Sequence, residues 1–187
     1  MKSKEKLQTA AMSLFMSQGY DQTTIKEIAT LAGVTERTFF RQFRDKADVL
    51  FERDNPLYQE VSAYINENYE ERSSIINLLM QSLKQVKVFD QNRNRTLMRS
   101  KIIEEHPDLI ERELLKMQEM KKRICNQVAI LKTKFEIIEI ELAVGMVFQI
   151  FELAFQQWLK NEEIDFSSSM EIVWKKYQQL ITESEDN

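Results

Sequence analysis

Apolar positions recur at helical spacing along nearly the whole chain. Leu7, Ala10, Ala11, Leu14 and Phe15 fall at i, i+3, i+4, i+7 and i+8, one face of a first helix that Gly19 can end with a left-handed cap. Thr24, with Glu27 three residues on, forms a capping box ahead of Ile25, Ile28 and Ala29. Ala32-Gly33-Val34 then interrupts the pattern, since glycine can take a positive φ. Thr35 caps a third helix, Glu36 to Phe43, whose inner face is Phe39 and Phe43 at i, i+4. Two short helices across a tight turn, braced by another, predict a helix-turn-helix arrangement.

Longer helices follow. Asp45 to about Asn68 carries Val49, Leu50, Leu57, Val61 and Ile65, with Asn55-Pro56 placed to kink or break it. Ser73 or Ser74 caps a helix through Ile75, Leu78, Leu79, Leu83 and Val86 that ends near Asp90. Asn92–Glu104 is a further helix, and Pro107 opens one running to about Leu131. The last two span roughly Glu136–Lys160 and Ser167–Thr182. The expectation is an all-α chain of about nine helices. Residues 1–48 would form the helix-turn-helix domain, and 49–187 a second helical domain.

Composition narrows the chemistry. Three glycines and two prolines in 187 residues leave little room for sheet hairpins, and three glycines cannot build a GxGxxG or Walker loop. One histidine and one cysteine exclude the usual Cys/His zinc site within one chain. A Ser-His-Asp triad would need His106, whose setting in Glu104-Glu105-His106-Pro107 reads as a helix start. No catalytic residue, metal or cofactor is expected, and the chain does not read as an enzyme. The lone thiol of Cys125 points to a reducing compartment. Lys2, Lys4, Glu5 and Lys6 lead into an amphipathic stretch rather than a secretory signal, and Leu142–Phe151, the longest uncharged apolar run, is too short to span a bilayer. A cytoplasmic protein without membrane partners is expected.

Charge is divided unevenly. The chain has a net charge of −4, yet its first fifty residues hold eight Lys/Arg against six Asp/Glu. A locally basic end on an acidic whole fits contact with a polyanion at one end. In the third helix, turning Phe39 and Phe43 inward presents Thr35, Glu36, Arg37, Phe40 and Arg41 outward. A forked guanidinium matches guanine O6 and N7. The same spacing of Arg37 and Arg41 also fits a solvated face paired with Glu36 or Asp45.

Thr23-Thr24-Ile25-x-x-Ile28-Ala29-x-x-Ala32-Gly33-Val34-x-x-x-Thr38-Phe39-Phe40-x-x-Phe43-x-x-Lys46, with Gly19-Tyr20 before it, resembles the DNA-binding signature of the tetracycline-repressor (TetR) family. The resemblance covers roughly the first fifty residues. It implies that Glu36, Arg37 and Thr38 read bases, and that Thr24, Lys26, Gln42 and Lys46 lie on phosphates or nearby bases. Of these, Lys46 is the foremost candidate for a phosphate contact. The family usually carries a tyrosine where this chain has Phe40, which leaves the ring to packing or to a thymine methyl. The implied partners are a double-stranded DNA operator, a second copy of the chain and a small-molecule inducer. A helical ligand carrier that has lost DNA binding is the alternative.

The last two helices are the most apolar region. Val144, Phe148, Phe151, Phe155, Trp158 and Leu159 repeat at helical spacing, and Val173, Trp174, Tyr177, Leu180 and Ile181 answer them. The resemblance implies that Phe155, Trp158, Leu159, Val173, Trp174 and Tyr177 include rings of a four-helix dimer interface; core filling is the competing role. The resemblance also implies a ligand cavity, for which Met80, Leu97, Met98, Met117, Met120, Phe148, Phe151 and Phe155 are the candidates, with plain core filling as the competing role of each. Gln91–Ile103 contains Arg93, Arg95, Arg99 and Lys101 and no acid. With Thr96-Leu97-Met98-Arg99, Pro107-x-Leu109 and Thr38-Phe39-Phe40-Arg41, it resembles a TetR branch that includes the mycofactocin regulators. That branch implies an acyl-coenzyme A ligand, with Arg93 and Arg95 facing its phosphates. A solvated face, or pairing with Glu104, Glu105 or Glu113, is the other reading.

Overall fold

The computed structural model describes residues 3–51, 55–71, 73–131 and 134–183, and among them the regular secondary structure is helical. The helices are α1 Ser3–Gln18, α2 Ile25–Leu31, α3 Glu36–Gln42, α4 Pro56–Asn68, α5 Ile75–Lys84, α6 Val88–Gln91, α7 Arg93–Glu104, α8 Pro107–Ile130, α9 Ile137–Lys160 and α10 Phe166–Glu183, with a single 3-10 turn at Ala47–Val49. The short α6 is the one helix that periodicity alone did not separate. None of the described helices is long and apolar enough to cross a membrane.

The expected fourth helix is divided. Asp48 donates its backbone N–H to the Asp45 carboxylate, 2.7 Å away, in a tight turn, and α4 begins only at Pro56. Proline lacks the N–H that a helix interior needs and carries a φ suited to its first position, so it starts a helix rather than continuing one. Residues 52–54, within the expected helix, lie outside the described residues.

Two compact units make up the chain: Met1–Asn55 with Asn94–Glu113, and Pro56–Arg93 with Leu114–Asn187. The division is discontinuous, where the sequence suggested a single boundary after residue 48. The reason lies in the core of the first unit. Leu7, Ala11, Phe15, Ile28, Phe39, Phe43, Val49, Leu50 and Phe51 are buried together with Ile102, Ile103 and Leu109 from α7 and α8. A core of α1 to α3 alone would leave those apolar faces wet, at about 1.5–3 kcal/mol for each large side chain.

In the second unit, α5 packs on α4, α9 and α10, and α10 returns along α9. Its centre is aromatic: Phe89 lies 4.9 Å from Phe166 and 5.0 Å from Phe155, and Phe155 stacks on Trp158 at 5.7 Å. Asp90 accepts from the Trp158 Nε1–H at 2.8 Å and from the Phe166 backbone N–H, joining the two helices at the turn between them. Arg93 completes this corner. Its guanidinium donates to the carbonyls of Trp158, Asn161 and Ile164 and lies 4.3 Å from the Trp158 ring. It thereby ties the end of α9 to the turn before α10, where the Trp158 carbonyl also accepts from the Asn161 backbone N–H.

Candidate nucleic-acid interface

The helix-turn-helix is built from local signals. The Thr24 hydroxyl accepts from the Glu27 N–H at 3.2 Å while the Glu27 carboxylate accepts from the Thr24 N–H at 2.8 Å, so two orphan donors are satisfied at the start of α2. Those bonds, with help from Gln18, hold the Glu27 carboxyl below its ordinary range. At the turn, Gly33 has a φ of 67° and the Val34 N–H donates to Ala29 at 2.9 Å. A side chain at that φ is strained, so glycine sets the angle between α2 and α3.

Thr35 caps α3, with its hydroxyl accepting from the Thr38 N–H. Beneath the helix, Phe39 and Phe43 are buried with ring centroids 5.4 Å apart. Their burial fixes the roll of α3 and leaves Thr35, Glu36, Arg37 and Arg41 exposed. Phe40 is 54% exposed, its ring edge-on to Phe39. Thr38 and Gln42 are half-buried, while Thr24 and Lys26 on the α2 side are exposed. Asp45, a possible partner for the α3 arginines, is instead engaged by Arg112 at 3.0 Å. Arg37 and Arg41 project as an i, i+4 pair of forked donors on one side of a braced helix.

Lys46 is placed differently from those side chains. Its ammonium donates to the carbonyls of Tyr20 at 2.6 Å and Asp21 at 3.3 Å, and sits 4.2 Å from the Tyr20 ring centroid. Burial holds its pKa below the ordinary lysine value. Two of its three N–H bonds thus brace the α1–α2 turn, and one is left for an outside acceptor.

The structure also adds residues that the sequence pattern did not assign to this unit. The Arg99 Nε–H donates to the Leu50 carbonyl at 2.7 Å, and its guanidinium pairs with Glu113. Arg112 binds both Asp45 and Asp48, with its guanidinium over the Phe51 ring. The segment directly after α3 is therefore held by cations some fifty to seventy residues further along the chain. The available sequence signal was the apolar set Ile102, Ile103 and Leu109 around Pro107, which has no use on a wholly solvated helix.

The residues expected to form one ligand cavity are spread over both units. Met98 packs on the core of the first, and Leu97 beside it is half-buried. Met80, Met120, Phe148 and Phe151 are buried in the core of the second, with Met117 and Phe155 packed against it. Arg93 donates to backbone carbonyls. Arg95 is exposed. Trp158 is completely buried within its own chain, and Leu159, Val173, Trp174 and Tyr177 are half-buried.

Residues 7–52 match the family described as bacterial regulatory proteins, tetR family. Over 48 residues the chain is 42% identical to the HTH-type transcriptional regulator TcmR of Streptomyces glaucescens, a stretch covering 26% of this chain and 21% of that protein. The matched stretches span between about a fifth and a third of the curated relatives' lengths. A TetR-family transcriptional regulator from Syntrophomonas wolfei, described as putative, superposes with a TM-score of 0.66 at 20% identity, over 95% of this chain and 94% of that one. Thermus thermophilus FadR, a TetR-family repressor crystallised with lauroyl-CoA, gives 0.55 at 21% identity, over 92% and 91%. Residues 7–52 are thus similar to the tetR family of bacterial regulatory proteins, on a chain that shares the fold of solved TetR-family regulators.

Proposed function

We propose that the chain is a ligand-responsive transcriptional regulator, a repressor that binds a palindromic operator as a homodimer in the cytoplasm. The observation that carries this reading is the outward side of α3, where Arg37 and Arg41 project beside Glu36 and Phe40 on a helix fixed by Phe39 and Phe43. A helix so presented fits the major groove, with its first residues at base edges. Thr24, Lys26, Gln42 and the third N–H of Lys46 serve phosphates and nearby bases. Its role is regulatory rather than catalytic.

For the second copy, the support is the outer side of α9. Leu142 and Leu153 are exposed there, and Gly145 between them has nothing within 4 Å of where a Cβ would stand. Glycine in a helix interior costs about 1 kcal/mol relative to alanine, and close approach of a partner helix is a use for it. Leu159, Val173, Trp174 and Tyr177 would border that contact, whereas Trp158 and much of Phe155 serve the chain's own core.

The released state would be favoured by a small apolar or acyl-type ligand among Met117, Met120, Phe148, Phe151 and Phe155. The lauroyl-CoA held by FadR is one chemical example. Such a ligand acts only by binding the non-operator state more tightly.

Selection from a randomised duplex pool, with the mass of the protein measured alone and on DNA, tests the reading. A palindrome whose half-sites lie about 34–36 Å apart, or a multiple of that, bound by a dimer, is the expected result. A monomer that retains no sequence leaves the ligand-carrier alternative and overturns the proposal. Arg37→Ala should relax the preference at one base pair, whereas Lys46→Ala should weaken all sequences alike and flatten the salt slope by about one.

A further inference from the structure

The chain's single histidine sits where α7 turns into α8, a position the DNA-reading surface does not include. Its Nδ1 is 2.6 Å from the Ile102 carbonyl, and its Nε2 is 3.3 Å from the Asp21 carboxylate on the α1–α2 turn. The ring also meets Tyr20 edge-on, with centroids 4.9 Å apart. Both ring nitrogens thus face acceptors. Neutral imidazole carries one N–H and can satisfy one of them, whereas imidazolium carries two and satisfies both.

We propose that His106 is a positioning residue for DNA binding, whose imidazolium ties the α7–α8 elbow to the α1–α2 turn leading into the Thr24 cap. The inference rests on the DNA-binding reading above. The tie matters because the same turn is gripped from the other end of the domain. Lys46, close behind α3, donates to Tyr20 and Asp21, so both ends of α2–α3 converge on two adjacent residues. Loosening Asp21 frees the start of α2, and with it the angle at which Thr24, Lys26 and α3 meet a duplex.

The charged surroundings favour the proton. Asp21 faces the ring from the α1–α2 turn and Asp108 from the start of α8. Tyr20 remains an uncharged phenol, its pKa pushed up to about 12 chiefly by burial and then by Asp108 and Asp45, with Arg112 opposing. Lys46 is the nearby cation on Asp21, through its carbonyl. For His106 itself, the Ile102 carbonyl is the largest influence; burial opposes it, Asp21 and Asp108 add to it, and the result lies above the ordinary 6.5. The folded value being the higher one, the tie is complete below 6.5 and is lost as pH rises through that folded value.

The test uses the full chain and a mixed-sequence duplex at low salt, comparing wild type with His106→Gln and Asp21→Asn between about pH 6 and 8. Asp21 is largely exposed, which makes its variant the one that keeps the fold. Wild type should bind about threefold more tightly at the acid end, the scale of an exposed ion pair, and both variants should lose that dependence. The ring resonances of the single histidine should titrate above 6.5 and return toward it in Asp21→Asn. A pH profile shared by wild type and both variants, or a histidine titrating at or below 6.5, overturns the inference while DNA binding stands. No retention of DNA by any of the three proteins at any pH overturns the DNA-binding reading, and this inference with it.

Discussion

The two compact units use aromatic rings in opposite ways. In the second, Phe89, Phe151, Phe155, Trp158 and Phe166 close on one another, and polar groups are recruited to finish that cluster: Asp90 takes the indole N–H and Arg93 takes the carbonyls at the end of α9. In the first, Phe39 and Phe43 are buried only to hold a helix whose next ring, Phe40, is 54% exposed and whose arginines point outward. One region turns Arg93 onto its own backbone. The other fixes a short segment with Arg99, Arg112 and Lys46 and leaves Arg37 and Arg41 for something outside. A charged side chain is therefore informative about binding only once its internal acceptors are known.

The strongest way to break this contrast is Trp158→Ala. It opens a cavity in the aromatic cluster, leaves Asp90 with the Phe166 N–H but without the indole N–H, and removes the surface under Arg93, and should cost about 3–5 kcal/mol in chemical denaturation of the full chain. A loss below about 1 kcal/mol would mean that the cluster does not organise the second unit. Arg93→Ala comes next. It removes the guanidinium bonds to the carbonyls of Trp158, Asn161 and Ile164 and should cost about 1–3 kcal/mol. Isothermal titration with lauroyl-CoA separates this role from the expected phosphate contact: selective loss of ligand affinity at unchanged stability would reassign the residue.

Phe40→Tyr is the smallest change and sharpens the other side. Stability should stay within about 0.5 kcal/mol, because the position is exposed. If the ring borders a phosphate, as the tyrosine usual in the family would, affinity for all duplexes should rise together. A gain confined to sequences lacking one thymine would instead identify Phe40 with a methyl contact.

Much of the helix-turn-helix was legible in advance, because its signals act over a few residues. The Thr24–Glu27 box, the glycine at 33, the Thr35 cap and the Phe39/Phe43 spacing each concern groups no more than four positions apart, and the structure reproduces all of them. The long helices followed from periodicity for the same reason. Their ends were less legible: the break before α4 follows from Pro56, while the separation of α6 involves the Lys87 N–H donating to Glu60, 27 residues away. The basic stretch around α7 was the least legible. Its four cations look alike in sequence, yet Arg93 caps α9 and Arg99 holds Leu50, both half-buried, whereas Arg95 and Lys101 are exposed.

By itself, then, the sequence determined the helical class, the caps and the outward face of α3, since each depends on backbone geometry within one or two turns. Tertiary structure alone decided that residues 94–113 complete the first unit, that Lys46 braces the α1–α2 turn, and that His106 stands between two acceptors. A long cation or an imidazole chooses among acceptors brought close by packing. That choice is set by burial and distance between segments far apart in the chain, which no local pattern encodes.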